Sequence, residues 1–345
     1  MEYIDLRSDT VTQPTPAMRE AMAKAEVGDD VMDEDPTVNR LQEMAADRMG
    51  KQAGLFVASG TMGNLCAILA HCNRGDEAIL GAHAHTFSFE GGGISALGGI
   101  HSHQLEEQAD GSLVIEDVAS AIRPDDIHQP PTRLISLENT HNRRGGTFQT
   151  PQYTRRLSEF AHEKGLVVHL DGARVFNAGV AQGIDVRELT QPVDSVTFCL
   201  SKGLCAPVGS VLCGDVNFIK KARRVRKQVG GGMRQAGVIA AAGIVALETM
   251  VDRLAEDHSR AAALAKGLME IPGITLPFGL PATNMVFLDL SKSLGKNSHE
   301  IAAELKNLGV LVGTPGDIRF RLVTHYWVND ESMSKVIDSF KKVLA

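Results

Sequence analysis

The chain has 345 residues, 43% hydrophobic and 22% charged, with one Trp and three Tyr, enough apolar sequence for a large core and a smaller second domain. A formal net charge of −7 argues against a general nucleic-acid or anionic-membrane binder, and no apolar run reaches membrane-spanning length. Five cysteines without a CxxC pair read as free thiols of a protein in a reducing cytoplasm.

Residues 1–16 are polar and proline-punctuated, with turn chemistry at Ser8, Asp9 and Thr10. Helices are predicted over 17–26 and 36–49, the second opened by the Asp35-Pro36 pair. GLFVASGTMGNLCAILAH then reads as a buried strand, a Gly/Ser/Thr turn and an apolar helix. Further strands are predicted at 77–82, 132–139, 165–172, 194–201 and 209–214, with a helix over 152–164. Short apolar strands alternating with helices predict an α/β domain whose mainly parallel sheet is covered on both faces. The Ala-rich run 236–270 reads as one or two helices, and Pro272-Gly273 breaks it. Residues 274–345 predict an α+β layer with strands near 284–290 and 319–323. The expected division is an N-terminal segment over 1–16, a large domain over 17–250 and a small domain over 251–345.

Three features at strand ends carry chemistry. Ser59, Gly60 and Thr61 open a helix, and such a turn can cradle a phosphate. It is neither GxxxxGK[ST] nor GxGxxG, and an ordinary capped turn reads the same way. Asp171 in HLDGAR ends a strand, where a carboxylate needs a cation, a pair with Arg174 or a helix to cap. Lys202 in LSKGL ends the next strand, where the ordinary reading is a lysine reaching for water. Ligands of open α/β sheets bind beyond the carboxyl ends of the strands. A phosphate cradle, a carboxylate and a lysine there are what pyridoxal phosphate (PLP) requires. The lysine forms the Schiff base and the carboxylate keeps the ring nitrogen protonated.

IDLRSDTVTQPT, FVASGTMGN, ENTHN, HLDGAR, LSKGL, VGGGMRQAG and RLVTH occur in that order. In these motifs the chain resembles the threonine aldolases of the fold-type I PLP enzymes. The resemblance implies an aspartate aminotransferase-like large domain with a small C-terminal α+β domain, and the N-terminal segment packed near the active site. It implies retro-aldol cleavage of L-threonine, L-allo-threonine and other β-hydroxy-α-amino acids to glycine and an aldehyde, acetaldehyde from threonine. Lys202 is then the PLP-linking lysine, Asp171 the partner of the ring nitrogen, and Ser59, Gly60 and Thr61 the phosphate ligands. Arg234 is implied to reach the phosphate from a neighbouring subunit, so the chain should form a dimer at least, and commonly a tetramer. His85, rather than His83, is implied to stack on the ring, and His128 to stand near the substrate hydroxyl. Glu90 is a further candidate for the proton network. Ser8, Arg174 and Arg321 are implied to hold the substrate carboxylate, which a guanidinium fork suits, with Arg174 also near the ring hydroxyl. No metal is expected, since the histidines form no HExxH spacing.

The chain departs from the family pattern at Met32 and Asp33, where an aromatic and a glycine are common, and at Cys205, where glycine is usual. A cysteine at positive φ there would be strained. Two rival readings fit the same residues. Another fold-type I PLP enzyme, a β-eliminating lyase or an aminotransferase, would share Lys202 and Asp171. A nucleic-acid binder would use the basic run 219–228, which lacks interleaved aromatics.

Overall fold

The computed structural model describes residues 3–344. Local signals set the helix ends. The helix Pro36–Met49 starts where the Asp35 carboxylate accepts the Val38 N–H at 3.0 Å and Pro36 takes the first helical position. It stops at Gly50, whose φ of 62° places it in the left-handed region. The first helix is shorter than expected, Pro16–Ala23, capped by Thr15. The Ala-rich run divides into Gly237–Thr249 and Leu254–Met269.

The chain opens with the short strand β1 (Ile4–Asp5). Seven strands then build the central sheet: β2 (Ala53–Val57), β3 (Glu77–Gly81), β4 (His101–Leu105), β5 (Thr132–Glu138), β6 (Val167–Asp171), β7 (Ser195–Cys199) and β8 (Ser210–Gly214). Their order is β2-β8-β7-β6-β5-β3-β4. All neighbours are parallel except β8, which runs antiparallel to both β7 and β2. Two reversals leave β2 pointing the same way as β7, so Val57, Glu138, Asp171 and Cys199 end at one edge. β3, β7 and β8 are buried throughout, the signature of strands covered on both faces. β4 went unpredicted because it lies at the edge and is polar. Its His101 and His103 bond to Glu77 of β3 instead of joining a core.

The small domain holds β9 (Ile274–Thr275), β10 (Met285–Leu290), β11 (Val310–Leu311), β12 (Gly313–Gly316) and β13 (Arg319–Val323). Four of these form an antiparallel sheet in the order β12-β13-β10-β9. The helix Leu254–Met269 joins the two cores: Leu254 packs in the large one, Leu264 and Leu268 in the small one. β1 pairs in parallel with β11, and the fully buried Leu6 lies in the small-domain core.

Candidate active site

The sheet register sets the floor of the site. Glu138 lies opposite Asp171, and Asp171 opposite Thr197. Lys202 follows three residues after β7. Its loop is held where the Lys202 carbonyl accepts the Thr12 hydroxyl at 2.8 Å and the Cys205 N–H at 2.9 Å. The helix Gly60–His71 begins at the same edge with Ser59 as its cap, accepting the Met62 N–H at 3.2 Å. Its first-turn N–H groups have no helical acceptor. Gly60 sits close to β7, and an added Cβ would stand 3.0 Å from Cys199 Sγ, tighter than an ordinary contact.

Behind this edge the carboxylates are tied together. Asp171 is buried and accepts the Ala173 N–H at 3.1 Å and Asn64 Nδ2 at 2.9 Å. Asn64 Nδ2 also donates to Glu90 at 2.9 Å, and Glu90 accepts His85 Nδ1 at 2.9 Å. The His85 backbone N–H is fixed by Glu138 at 2.6 Å. Burial and the charge of Asp171 push the Glu90 carboxyl up, and the hydrogen bond to Glu90 raises His85 against the effect of burial. A carboxylate on Nδ1 makes that nitrogen the donor and leaves Nε2 of the neutral ring as an acceptor.

A cavity of about 400 Å³ opens beside His85, lined also by Phe89, Asn142, Phe287, Thr314 and Arg321. Arg321 donates to Asn142 Oδ1 at 2.9 Å and to the Arg7 carbonyl at 3.2 Å, neither of which carries charge. Burial, and then the charge of Arg174, lowers it to about 10, so an arriving carboxylate is favoured there. Arg174 is spent differently: Nε and Nη2 form a buried fork on Asp9 at 2.7 and 2.6 Å, leaving Nη1. Burial alone would raise the Asp9 carboxyl, yet Arg174, Lys202 and Arg321 hold it well below the usual carboxylate range. Ser8 caps the turn Asp9–Val11, accepting the Thr10 N–H at 3.2 Å.

The chain thus brings Ser59, Gly60, Thr61, His85, Glu90, Asp171, Arg174 and Lys202 to one end of the central sheet, with Ser8 of the N-terminal segment and Arg321 of β13 beside them. Two expected residues lie outside this set in a single chain, and Arg234 was expected to serve a neighbouring subunit rather than its own. His128 lies in the loop before β5, 81% exposed and bonded to Asp126 at 2.7 Å. β5 runs from that end to the site, so His128 is roughly 20 Å away at about 3.3 Å per residue. Arg234 is 58% exposed and pairs with Asp29 at 2.8 Å. Asp9, Asn64, Glu138 and His169 went unrecognised as site residues. For His169 the signal was its spacing of two from Asp171, which places both on one face of a strand. For Asn64 it was a lone amide inside an apolar helix.

Comparison with known proteins follows the same line. A family model described as beta-eliminating lyase matches residues 5–293. The low specificity L-threonine aldolase of Escherichia coli (strain K12) is 47% identical over 342 residues, 99% of each chain. The chain belongs to the low-specificity L-threonine aldolase family. The low-specificity L-threonine aldolase 1 of Arabidopsis thaliana is 45% identical over 347 residues, 100% of this chain and 97% of that one. A solved threonine aldolase from Leishmania major superposes with a TM-score of 0.83 at 21% identity, covering 99% of each chain, a likeness of fold. As a threonine aldolase family member the chain is a PLP-dependent carbon–carbon lyase. Its residues fit that cofactor: a helix N-terminus with open donors, a buried carboxylate and a lysine meet at one sheet edge.

Proposed function

We propose that this aldolase cleaves L-threonine and L-allo-threonine, with tolerance for other β-hydroxy-α-amino acids, to glycine and the matching aldehyde. The observation that carries the reading is the meeting of the Gly60 helix start, Asp171 and Lys202 at one sheet edge, beside a cavity whose half-buried Arg321 has only neutral hydrogen-bond partners. When bound, PLP supplies the sink for the electrons of the broken Cα–Cβ bond. Lys202 provides the amine that anchors it, and Ser59, Gly60 and Thr61 the donors for its phosphate. Asp171 holds the positive charge of the ring nitrogen. Arg321, with the Ser8 hydroxyl and the remaining Nη1 of Arg174, takes the substrate carboxylate and so fixes which Cα bond can break. His85 accepts the β-hydroxyl proton at Nε2, while Glu90 holds Nδ1–H in place.

Arg234 completes the phosphate site of a second copy of the chain, so the competent unit is a dimer or a tetramer of dimer pairs. Among the described residues no helix is long and apolar enough to cross a membrane. The five cysteines are free and buried, which suits a reducing cytoplasm. The deciding experiment follows glycine and aldehyde release from the four threonine stereoisomers, for the parent and for Lys202→Ala. The parent should cleave the two L-isomers. K202A should lose the visible absorbance of lysine-linked PLP and more than about a thousandfold in rate. Release of ammonia and a keto acid instead of glycine would favour a β-eliminating lyase.

A further inference from the structure

Asn64 has an unusual set of partners. Its side chain is buried, and both hydrogens of Nδ2 go to carboxylates, one to Asp171 and one to Glu90, each at 2.9 Å. A ring nitrogen of His85 and one carboxylate oxygen each of Glu90 and Asp171 lie within 4.8 Å of one another. Two carboxylates that close repel unless a donor stands between them. Asn64 Oδ1 therefore only accepts, and its partner is His169 Nε2 at 3.1 Å.

That contact propagates a direction. Burial lowers His169 to about 3, so the ring is neutral with its hydrogen on Nε2. Its Nδ1 then accepts the Ser195 hydroxyl at 2.9 Å, and Ser195 Oγ accepts His71 Nε2 at 2.8 Å. Every group in the chain from His71 to the carboxylates has one consistent role, donor or acceptor. Reversing the Asn64 amide would set an oxygen against two carboxylates, a clash that no tautomer of His169 relieves. A network satisfied in only one sense specifies one arrangement.

We infer that Asn64 is a positioning residue that holds Asp171 and Glu90 as one unit, so that the ring-nitrogen partner and the His85 acid–base group are set together. His169 is its lock. The inference rests on the reading of the site as a PLP site. Asp171 faces the cofactor position, and Glu90 hands the constraint to His85. The ionisable groups around Asn64 are Asp171 and His169 on β6, His85 and Glu90 in the segment after β3, and Glu138 at the end of β5.

The test is the near-isosteric Asn64→Asp, measured on apo protein by PLP titration between pH 6 and pH 8.5. At pH 8 the new carboxylate offers no donor, and PLP affinity should fall by about tenfold to a hundredfold, as for a lost hydrogen bond to a charged group. At pH 6 a proton shared among the three carboxyls restores one donor, and much of the affinity should return. Where protein is saturated with PLP, the acid limb of kcat/KM for glycine release should lie at higher pH than in the parent, since the added negative charge raises His85. Asn64→Ala removes the donors without adding charge. It should lose PLP affinity to a similar extent at pH 8, with no recovery at pH 6. Parent-like affinity in N64A, or a loss in N64D that does not change with pH, overturns the inference. Failure of the parent itself to bind PLP would instead overturn the functional reading beneath it.

Discussion

At Cys205 the backbone has a φ of 64°, and at Asp33 a φ of 62°. Among the described residues these are the non-glycine positions in the left-handed region, and at both the family resemblance implies a glycine. A Cβ there crowds its own carbonyl, at a cost of roughly 1–2 kcal/mol. Cys205 is fully buried, and burial pushes its thiol up to about 12, so it is no nucleophile near neutral pH. Its N–H instead steadies the Lys202 carbonyl. Cys205→Gly relieves the strain but gives up the buried thiol, so its stability should lie within about 1 kcal/mol of the parent. Cys205→Ala keeps the strain and also gives up the thiol, and should be about 1 kcal/mol less stable than C205G. Urea unfolding compares the two directly. The usual order, alanine above glycine, would contradict this account of the turn.

The N-terminal segment acts as a strap between the domains. β1 extends the small domain through β11, Leu6 fills its core, and Asp9 and Thr12 grip Arg174 and the Lys202 carbonyl. The carbonyl of Arg7, between them, takes Arg321. Leu6→Ala should cost about 2–5 kcal/mol in urea unfolding. It should also raise KM for the amino acid more than it lowers kcat, because both arginines lose their fixed partners. A stability loss with KM unchanged would separate the strap from the site. This element was only half legible. Its polar, proline-rich sequence shows no strand period, because two residues pairing with a distant strand leave no pattern to read. The helix Pro36–Met49 was legible to the residue, since Asp35, Pro36 and Gly50 act through bonds within a few positions.

At the scale of the whole molecule, the proposal that a second copy completes the site can be tested directly. Arg234 and His128 are largely exposed, paired with Asp29 and Asp126 rather than with any member of the cluster. If Arg234 serves a second copy, chains lacking Lys202 and chains lacking Arg234 can complement each other. Mixing inactive K202A and R234Q subunits after dissociation and reassociation should restore about a quarter of the parental sites. Half of randomly paired dimers are mixed, and each mixed dimer has one intact site. No recovery in verified mixed dimers would place Arg234 outside the neighbour's site.

The sequence by itself determined the chemistry at the strand ends. Ser59, Asp171 and Lys202 follow short apolar strands, and strand direction alone carries them to one edge of a mainly parallel sheet. It also showed where the backbone departs from glycine. Which partner neutralises each buried charge was decided only by tertiary structure. Asp9 meets Arg174 across 165 residues, and Asn64 meets Asp171 across 107. The reason is physical: a buried ion is stable only beside its counter-charge or donors. The sequence names the ion, but packing chooses the neighbour.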